Sequence, residues 1–224
     1  MTPQRLTCLA VLLALFLPSV GQAAEANESQ TYVALYGGLT IPQSLKETKA
    51  LNVSPEVKLS DLSLARSAIA GAKFGMFLPG QDRWMGVEAE FFYTNPHIKQ
   101  QTITFTVGGV PAGTQNFAGA HVQVATAAVN WILRYPGERF EPYIGGGPGL
   151  FWGKMSGPVG ELGTGSDTSL GINGLAGARI FLTQRFALFG EYKYNRVTFD
   201  FGGTADLHIL YQAQHFVAGF SLLF

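Results

Sequence analysis

The chain of 224 residues carries 15 basic and 15 acidic side chains, so it has no formal net charge. This balance gives no indication of a nucleic-acid-binding surface, and a single cysteine excludes an internal disulfide framework. The 28 glycines and 12% aromatic residues favour many turns and closely packed strands over helices.

The amino terminus has the order of a secretory signal peptide. Arg5 is followed by a short apolar run, a helix-breaking proline and small residues. The run is much shorter than the ~20 apolar residues that a membrane-spanning helix needs, which argues against a membrane anchor. We expect a signal peptide over 1–23, cleaved after Ala23 or alternatively after Ala24, and one structural domain over 24–224.

Apolar and mixed positions then alternate with a period of two, which is typical of strands with one buried face. In WMGVEAEFFYT (84–94), one face carries valine, alanine, phenylalanine and tyrosine, whereas the other carries Glu88 and Glu90. AGAKFGMFL (70–78) and ALFGEYKYN (187–195) alternate in the same way. The predicted strands are 30–40, 66–78, 84–95, 118–135, 142–154, 168–182, 187–197 and 207–224.

The lengths of the connections distinguish a soluble sandwich from a membrane barrel. The short connections are Pro79–Arg83, Pro136–Glu141 and Thr183–Phe186. The long ones are 41–65, 96–117, 155–167 and 198–206. Strict alternation of long and short connections is typical of transmembrane barrels, whereas a Greek-key sandwich has no reason to alternate. We therefore predict an all-β fold: a transmembrane, antiparallel, up-and-down barrel of eight strands over residues 24–224.

One further stretch, QTITFTV at Gln101–Val107, also alternates. We interpret it as an extension of the third and fourth strands beyond the membrane, with a kink at Asn95-Pro96. A barrel of ten strands is the less favoured alternative.

The last predicted strand has an apolar face that lipid can cover, and Phe224 is the final residue on that face. Together with AGAKFGMFL, WMGVEAEFFYT, VNWILRYP, PYIGGGPGL, GLAGARIFL and FGEYKYN, this ending resembles the eight-stranded outer-membrane barrel family. That family includes the OmpA-like transmembrane domain and the opacity-type surface proteins. The resemblance implies location in the cell outer membrane, contact with outer-membrane lipid, and recognition of Phe224 in the last strand by the barrel-assembly machinery.

If the apolar faces point to lipid, a set of charged residues points into the lumen. An eight-stranded barrel is only wide enough for its side chains to fill it, so these charges must pair. We favour a structural plug over a gate in which the ion pairs exchange partners. An error of one residue in the alternation would reverse which side chains of that strand point into the lumen. The predicted lumen charges are Lys73, Glu88, Glu90, Arg134, Arg179, Glu191 and Lys193, with Asn130 and Asn173 beside them.

No catalytic, cofactor or metal site is predicted. His215 and Ser221 share a face, but six residues separate them by roughly 20 Å, too far for a hydrogen bond. His97 and His121 flank the second long connection, but no carboxylate stands at a useful spacing for a metal site.

The sequence therefore favours a monomeric, non-enzymatic barrel with a structural or surface-interaction role, exposing its long connections to an extracellular ligand. A narrow channel for small or apolar solutes is the alternative, and a lipid-modifying enzyme is a remote third. Because the fold does not imply the function, the ligand remains open.

Overall fold

A computed structural model describes residues 30–43, 46–50, 57–59, 64–79, 83–99, 101–107, 110–117, 120–156, 165–201 and 207–224. The predicted signal peptide lies outside the described residues. No helix in the described part of the chain is long and apolar enough to cross a membrane.

The described segments are almost entirely strands, as the alternating sequence predicts. They are β1 (Gln30–Pro42), β2 (Lys46–Ala50), β3 (Val57–Leu59), β4 (Ser67–Phe77), β5 (Met85–Thr94), β6 (His97–Ile98), β7 (Gln101–Val107), β8 (Val110–Phe117), β9 (Ala120–Arg134), β10 (Phe140–Ser156), β11 (Gly165–Phe181), β12 (Phe186–Phe201) and β13 (Leu207–Leu223).

Eight of these strands close into an antiparallel barrel. Each strand pairs with the next in the order β1, β4, β5, β9, β10, β11, β12 and β13. The ring closes because β13 returns to β1, with Tyr32 opposite Leu223. The eight-stranded prediction is confirmed, and the ten-stranded alternative is wrong because the additional strands pair beyond the ring.

The hairpin of β5 and β9 continues past the barrel through β6, β7 and β8. His97 faces His121 and Gln101 faces Phe117 in the same register that pairs β5 with β9. The predicted extension of the third and fourth strands is therefore confirmed, with an interruption of the strand at Asn95-Pro96.

A second extension rises beside the first. The hairpin of β1 and β4 continues into β2 and β3, and β2 then pairs with β13 while β3 pairs with β7. Parts of 41–65, predicted only as a long connection, are therefore strand, because each extended arm finds a neighbouring edge for its hydrogen bonds. The wall formed by β12, β13, β2, β3, β7 and β8 makes one side of the barrel tall; we call it the tall wall.

The two faces of the barrel are inverted relative to a soluble protein. Outward side chains such as Leu35, Phe91 and Trp131 are more than half exposed, whereas charged inward side chains are buried. On β13, the alternation leaves Phe216 and Phe224 outside, as the sequence indicates. Aromatic rings also lie outside next to the short connections 79–83, 135–139 and 182–185; we call this end of the barrel the short-turn end.

Candidate functional site

The candidate functional residues of this protein are charged side chains inside the barrel. The period of two along β4, β5, β9, β11 and β12 turns all seven predicted lumen charges inward, where each is buried. An eighth charge, Glu141 on β10, joins them and is also buried. Four cations and four carboxylates therefore balance one another inside the described part of the barrel.

Five of these charges meet halfway along the lumen; we call them the central cluster. Lys73 donates to both carboxylate oxygens of Glu191, at 2.7 and 2.8 Å, and to Oε1 of Glu88 at 3.2 Å. Lys193 donates to Glu90, which also lies 3.6 Å from Lys73. Three carboxylates against two ammonium groups leave this cluster with one excess negative charge.

Tyrosine hydroxyls complete the coordination of the three carboxylates. Tyr32 donates to Glu88 and Tyr36 donates to Glu90, each at 2.6 Å. Tyr143 donates to Glu191 at 2.9 Å. Because hydrogen bonds to an ionised group are stronger than neutral ones, these donors stabilise the excess negative charge without adding a cation.

Glycines allow two of these tyrosines to reach their carboxylates. Tyr32 faces Gly75 on β4, and Gly75 faces Glu88 on β5, so the phenol crosses one strand to the next. A Cβ on Gly75 would lie 2.3 Å from the Tyr32 ring, which steric repulsion forbids. Tyr143 crosses Gly177 to Glu191 in the same manner. The same three-strand arrangement therefore occurs on both sides of the barrel.

A second cluster, of Arg134, Glu141 and Arg179, lies towards the short-turn end. Glu141 accepts a hydrogen bond from Arg134 at 2.7 Å and from Arg179 at 2.8 Å. The Arg134 guanidinium also stacks 3.5 Å from the ring centre of Phe77 and donates to Gln30 at 2.9 Å. Two cations and one carboxylate give this cluster one excess positive charge, which offsets the excess charge of the central cluster.

A row of amides connects the central cluster to the next section of the lumen. Asn130 donates to both Glu88 and Glu90 at 3.3 Å. Asn173 donates to Asn130 at 2.8 Å, and Asn195 donates to Asn173 at 2.7 Å. These amides are buried, so they fill lumen space that water would otherwise occupy.

Apolar side chains close the lumen on the side of the long connections. Val124, Phe151, Val197, Phe199 and Ile209 are buried there, and they belong to a cluster of buried apolar and aromatic side chains that continues to the short-turn end. The interior therefore has three successive sections: the arginine cluster, the central cluster with its amides, and an apolar section.

The three histidines considered in the sequence lie in two separate places of the barrel. His215 shares a 2.8 Å hydrogen bond with Thr40, whereas the Ser221 hydroxyl is buried without a described partner. The rings of His97 and His121 lie 5.9 Å apart at the end of the barrel that carries the long connections. Among the described residues, no group of three or more histidine, cysteine or acidic side chains could hold a metal ion.

The fold and the inverted faces point to a membrane barrel, and comparison with known proteins decides the family. The model of the outer membrane protein beta-barrel domain matches residues 10–224. This chain belongs to that family. No curated protein sequence matches it.

Two solved structures of outer-membrane barrels show the same fold. OprG from Pseudomonas aeruginosa is 13% identical, with 90% of this chain and 99% of that chain covered, and a TM-score of 0.58. Neisserial surface protein A is 14% identical, with coverage of 90% and 99% and a TM-score of 0.51. At these identities the likeness concerns the fold alone.

Sequence reasoning missed four residues of the lumen in this outer-membrane barrel. Glu141 lies in the predicted short connection Pro136–Glu141, although it has the same parity as Tyr143 two residues later. The role of Tyr32, Tyr36 and Tyr143 as donors depends on which strands are neighbours. The imbalance of four cations against three carboxylates in the predicted set was the signal that one more carboxylate should exist.

The tyrosine donors give a direct test of the site. Tyr143→Phe removes only the hydroxyl, so it should lower the free energy of unfolding by about 1.5–3 kcal/mol, the contribution of a hydrogen bond to a charged group. Urea unfolding of the protein refolded in lipid vesicles measures this loss. The control is Tyr135→Phe, whose ring is 75% exposed, and it should change stability by less than ~0.5 kcal/mol. Equal losses in the two variants would contradict the assigned role.

Proposed function

We propose that this protein is a closed barrel that anchors a surface-interaction wall in the outer membrane, with no catalytic step. The observation that carries this proposal is the tall wall. Two hairpins continue beyond the barrel in register and pair with each other and with β13. Such a wall holds its side chains on a hydrogen-bonded scaffold, which lowers the ordering cost of binding a partner.

The length of the extended hairpin supports exposure outside the membrane. A transmembrane strand needs about 9–11 residues. The arm that runs from β5 through β6 to β7 reaches from Met85 to Val107, about twice that length. Since short turns lie on the periplasmic side in this kind of barrel, the tall wall projects to the cell exterior and meets an extracellular ligand there.

The filled lumen supports an anchoring role over a wide pore. Each of the eight buried charges has an oppositely charged partner within 4.0 Å, and the amides and apolar side chains fill the sections next to them. A continuous water path would require these pairs to separate, at a cost of several kcal/mol for each uncompensated charge.

A narrow channel for small or apolar solutes is the second candidate, and the apolar section of the lumen favours it. Val124, Phe151 and Phe199 would contact such a solute if the section opened. The central cluster would still stand between that section and the short-turn end.

Assembly and oligomeric state complete the proposal. The last strand presents Phe224 on its outer face, 47% exposed, next to the barrel closure, where Phe224 and Thr31 exchange backbone hydrogen bonds. This position is accessible to the barrel-assembly machinery before the ring closes. Because the ring of paired strands is complete in a single chain, we propose a monomer.

Conductance in a planar bilayer distinguishes the anchor from the channel. The refolded parent should show no steady conductance, because the central cluster blocks the lumen. Glu90→Ala removes the partner of Lys193 and should admit water, so conductance should rise while thermal stability falls. The control Glu138→Ala, at an exposed position on the short-turn end, should behave as the parent. Steady channels of porin size from the parent would refute the closed barrel.

Cysteine labelling on intact cells tests which end faces outward. The side chain of Thr114 on β8 is exposed, and Glu138 is exposed at the opposite end. Thr114→Cys should react with a membrane-impermeant maleimide on intact cells, whereas Glu138→Cys should react only after the outer membrane is opened. The parent, whose single cysteine lies in the predicted signal peptide, gives the background. The reverse pattern would place the tall wall in the periplasm.

A further inference from the structure

An exposed basic row crosses the outer face of the barrel on the side of the long connections. Its members are side chains that point away from the lumen, on or beside β4, β6, β9 and β10, and all of them are exposed. The basic row consists of Arg66, His97, Lys99, His121 and Lys154.

Strand pairing brings these residues together. The amide of Ala65, next to Arg66, donates to the carbonyl of His97 at 2.8 Å. His97 on β6 in turn faces His121 on β9, with ring centres 5.9 Å apart. Lys154 lies one strand further, beside β9 on β10. The row is therefore continuous over the neighbouring strands.

The basic row differs from the lumen because, among the residues that the structure describes, its cations form no ion pair. Every described salt bridge lies between inward-facing side chains, and none involves Arg66, Lys99 or Lys154. The described outward positions of these strands carry no acidic residue. Exposed cations that form no ion pair create a surface potential that attracts anions.

An apolar groove of about 420 Å³ lies on the same strands, nearer the short-turn end. Outward alanines form its floor and larger apolar side chains form its sides. The outward lining consists of Ala72, Phe74, Ala89, Phe91, Ala127 and Val129.

The separation between groove and basic row matches the thickness of one membrane leaflet. Ala72 and Arg66 are six residues apart, roughly 20 Å along a strand. A strand tilt of about 40° reduces this to roughly 15 Å along the membrane normal, which is half of a hydrocarbon core of ~30 Å. The groove thus lies at the depth of acyl chains and the basic row at the depth of headgroups.

We propose that this face binds a phosphate-bearing lipid of the outer leaflet. The basic row holds the phosphate, because Arg66, Lys99 and the imidazoles donate charge-assisted hydrogen bonds to its oxygens. One acyl chain of the same lipid lies in the groove between Phe74 and Phe91. A zwitterionic lipid fits the groove equally well but lacks the net negative charge that the basic row attracts.

The test measures lipid binding to the full mature chain refolded in nanodiscs, by native mass spectrometry. Lipid A, a phosphorylated glycolipid, should bind in preference to phosphatidylcholine. Arg66→Ala with Lys99→Ala should weaken lipid A binding about 30-fold, since each basic side chain near an anionic lipid surface contributes about fivefold. The matched control is Arg139→Ala with Arg185→Ala, two exposed arginines at the short-turn end, which should leave binding unchanged.

Two further measurements distinguish a site that binds a whole lipid from a site that binds only an anion. Inorganic phosphate at millimolar concentration should not displace lipid A, and Ala89→Leu, which narrows the groove, should weaken binding several-fold. Heat-dependent gel migration checks that each variant is folded. Equal binding of the two lipids, equal losses in the two double variants, displacement by phosphate, or full binding by Ala89→Leu would each overturn the proposal.

Discussion

The structure depends on the cost of placing charges in a space that water cannot fill. A barrel of eight strands encloses little more than its own side chains, and an uncompensated charge there costs several kcal/mol. This protein meets the constraint with eight inward charges of equal and opposite number, divided between a central cluster and an arginine cluster. Because each cluster has one excess charge of opposite sign, neither could lose a member without disturbing the balance of the whole lumen.

The backbone is adapted to the same constraint. Gly75 and Gly177 lack the side chains that would block Tyr32 and Tyr143, so each phenol crosses a strand to reach a carboxylate. The outer face has the opposite character, because its alternating positions carry exposed apolar side chains up to the basic row. Beyond the membrane, two hairpins keep their register and become the tall wall. One period-two pattern thus places the charged side chains inside the barrel and the apolar side chains on its outer face.

The sequence was sufficient for the barrel and for most of its interior, because parity along a strand depends only on local alternation. Lys73, Glu88 and Lys193 could be placed inside on that basis. Parity does not predict which charges pair with each other. Lys73 and Glu191 are 118 residues apart in the sequence, and they meet only because β4 and β12 face each other across the lumen. The extension through β7 could be predicted from its alternation, whereas the strands of the neighbouring extension could not, for a similar reason. Segments such as β2 and β3 are short, and only their neighbours β13 and β7 make them strands.

A double-mutant cycle on Lys73 and Glu191 tests the central claim most directly. Lys73→Met and Glu191→Gln each remove one charge of the most closely bonded pair in the central cluster, so each should cost up to about 3–5 kcal/mol in urea unfolding of the refolded barrel. If the lumen is held together by pairing, the double variant should be more stable than the sum of the two losses predicts, by at least ~2 kcal/mol. Losses that add within ~0.5 kcal/mol would show that the two charges do not depend on each other, which would contradict this account of the lumen.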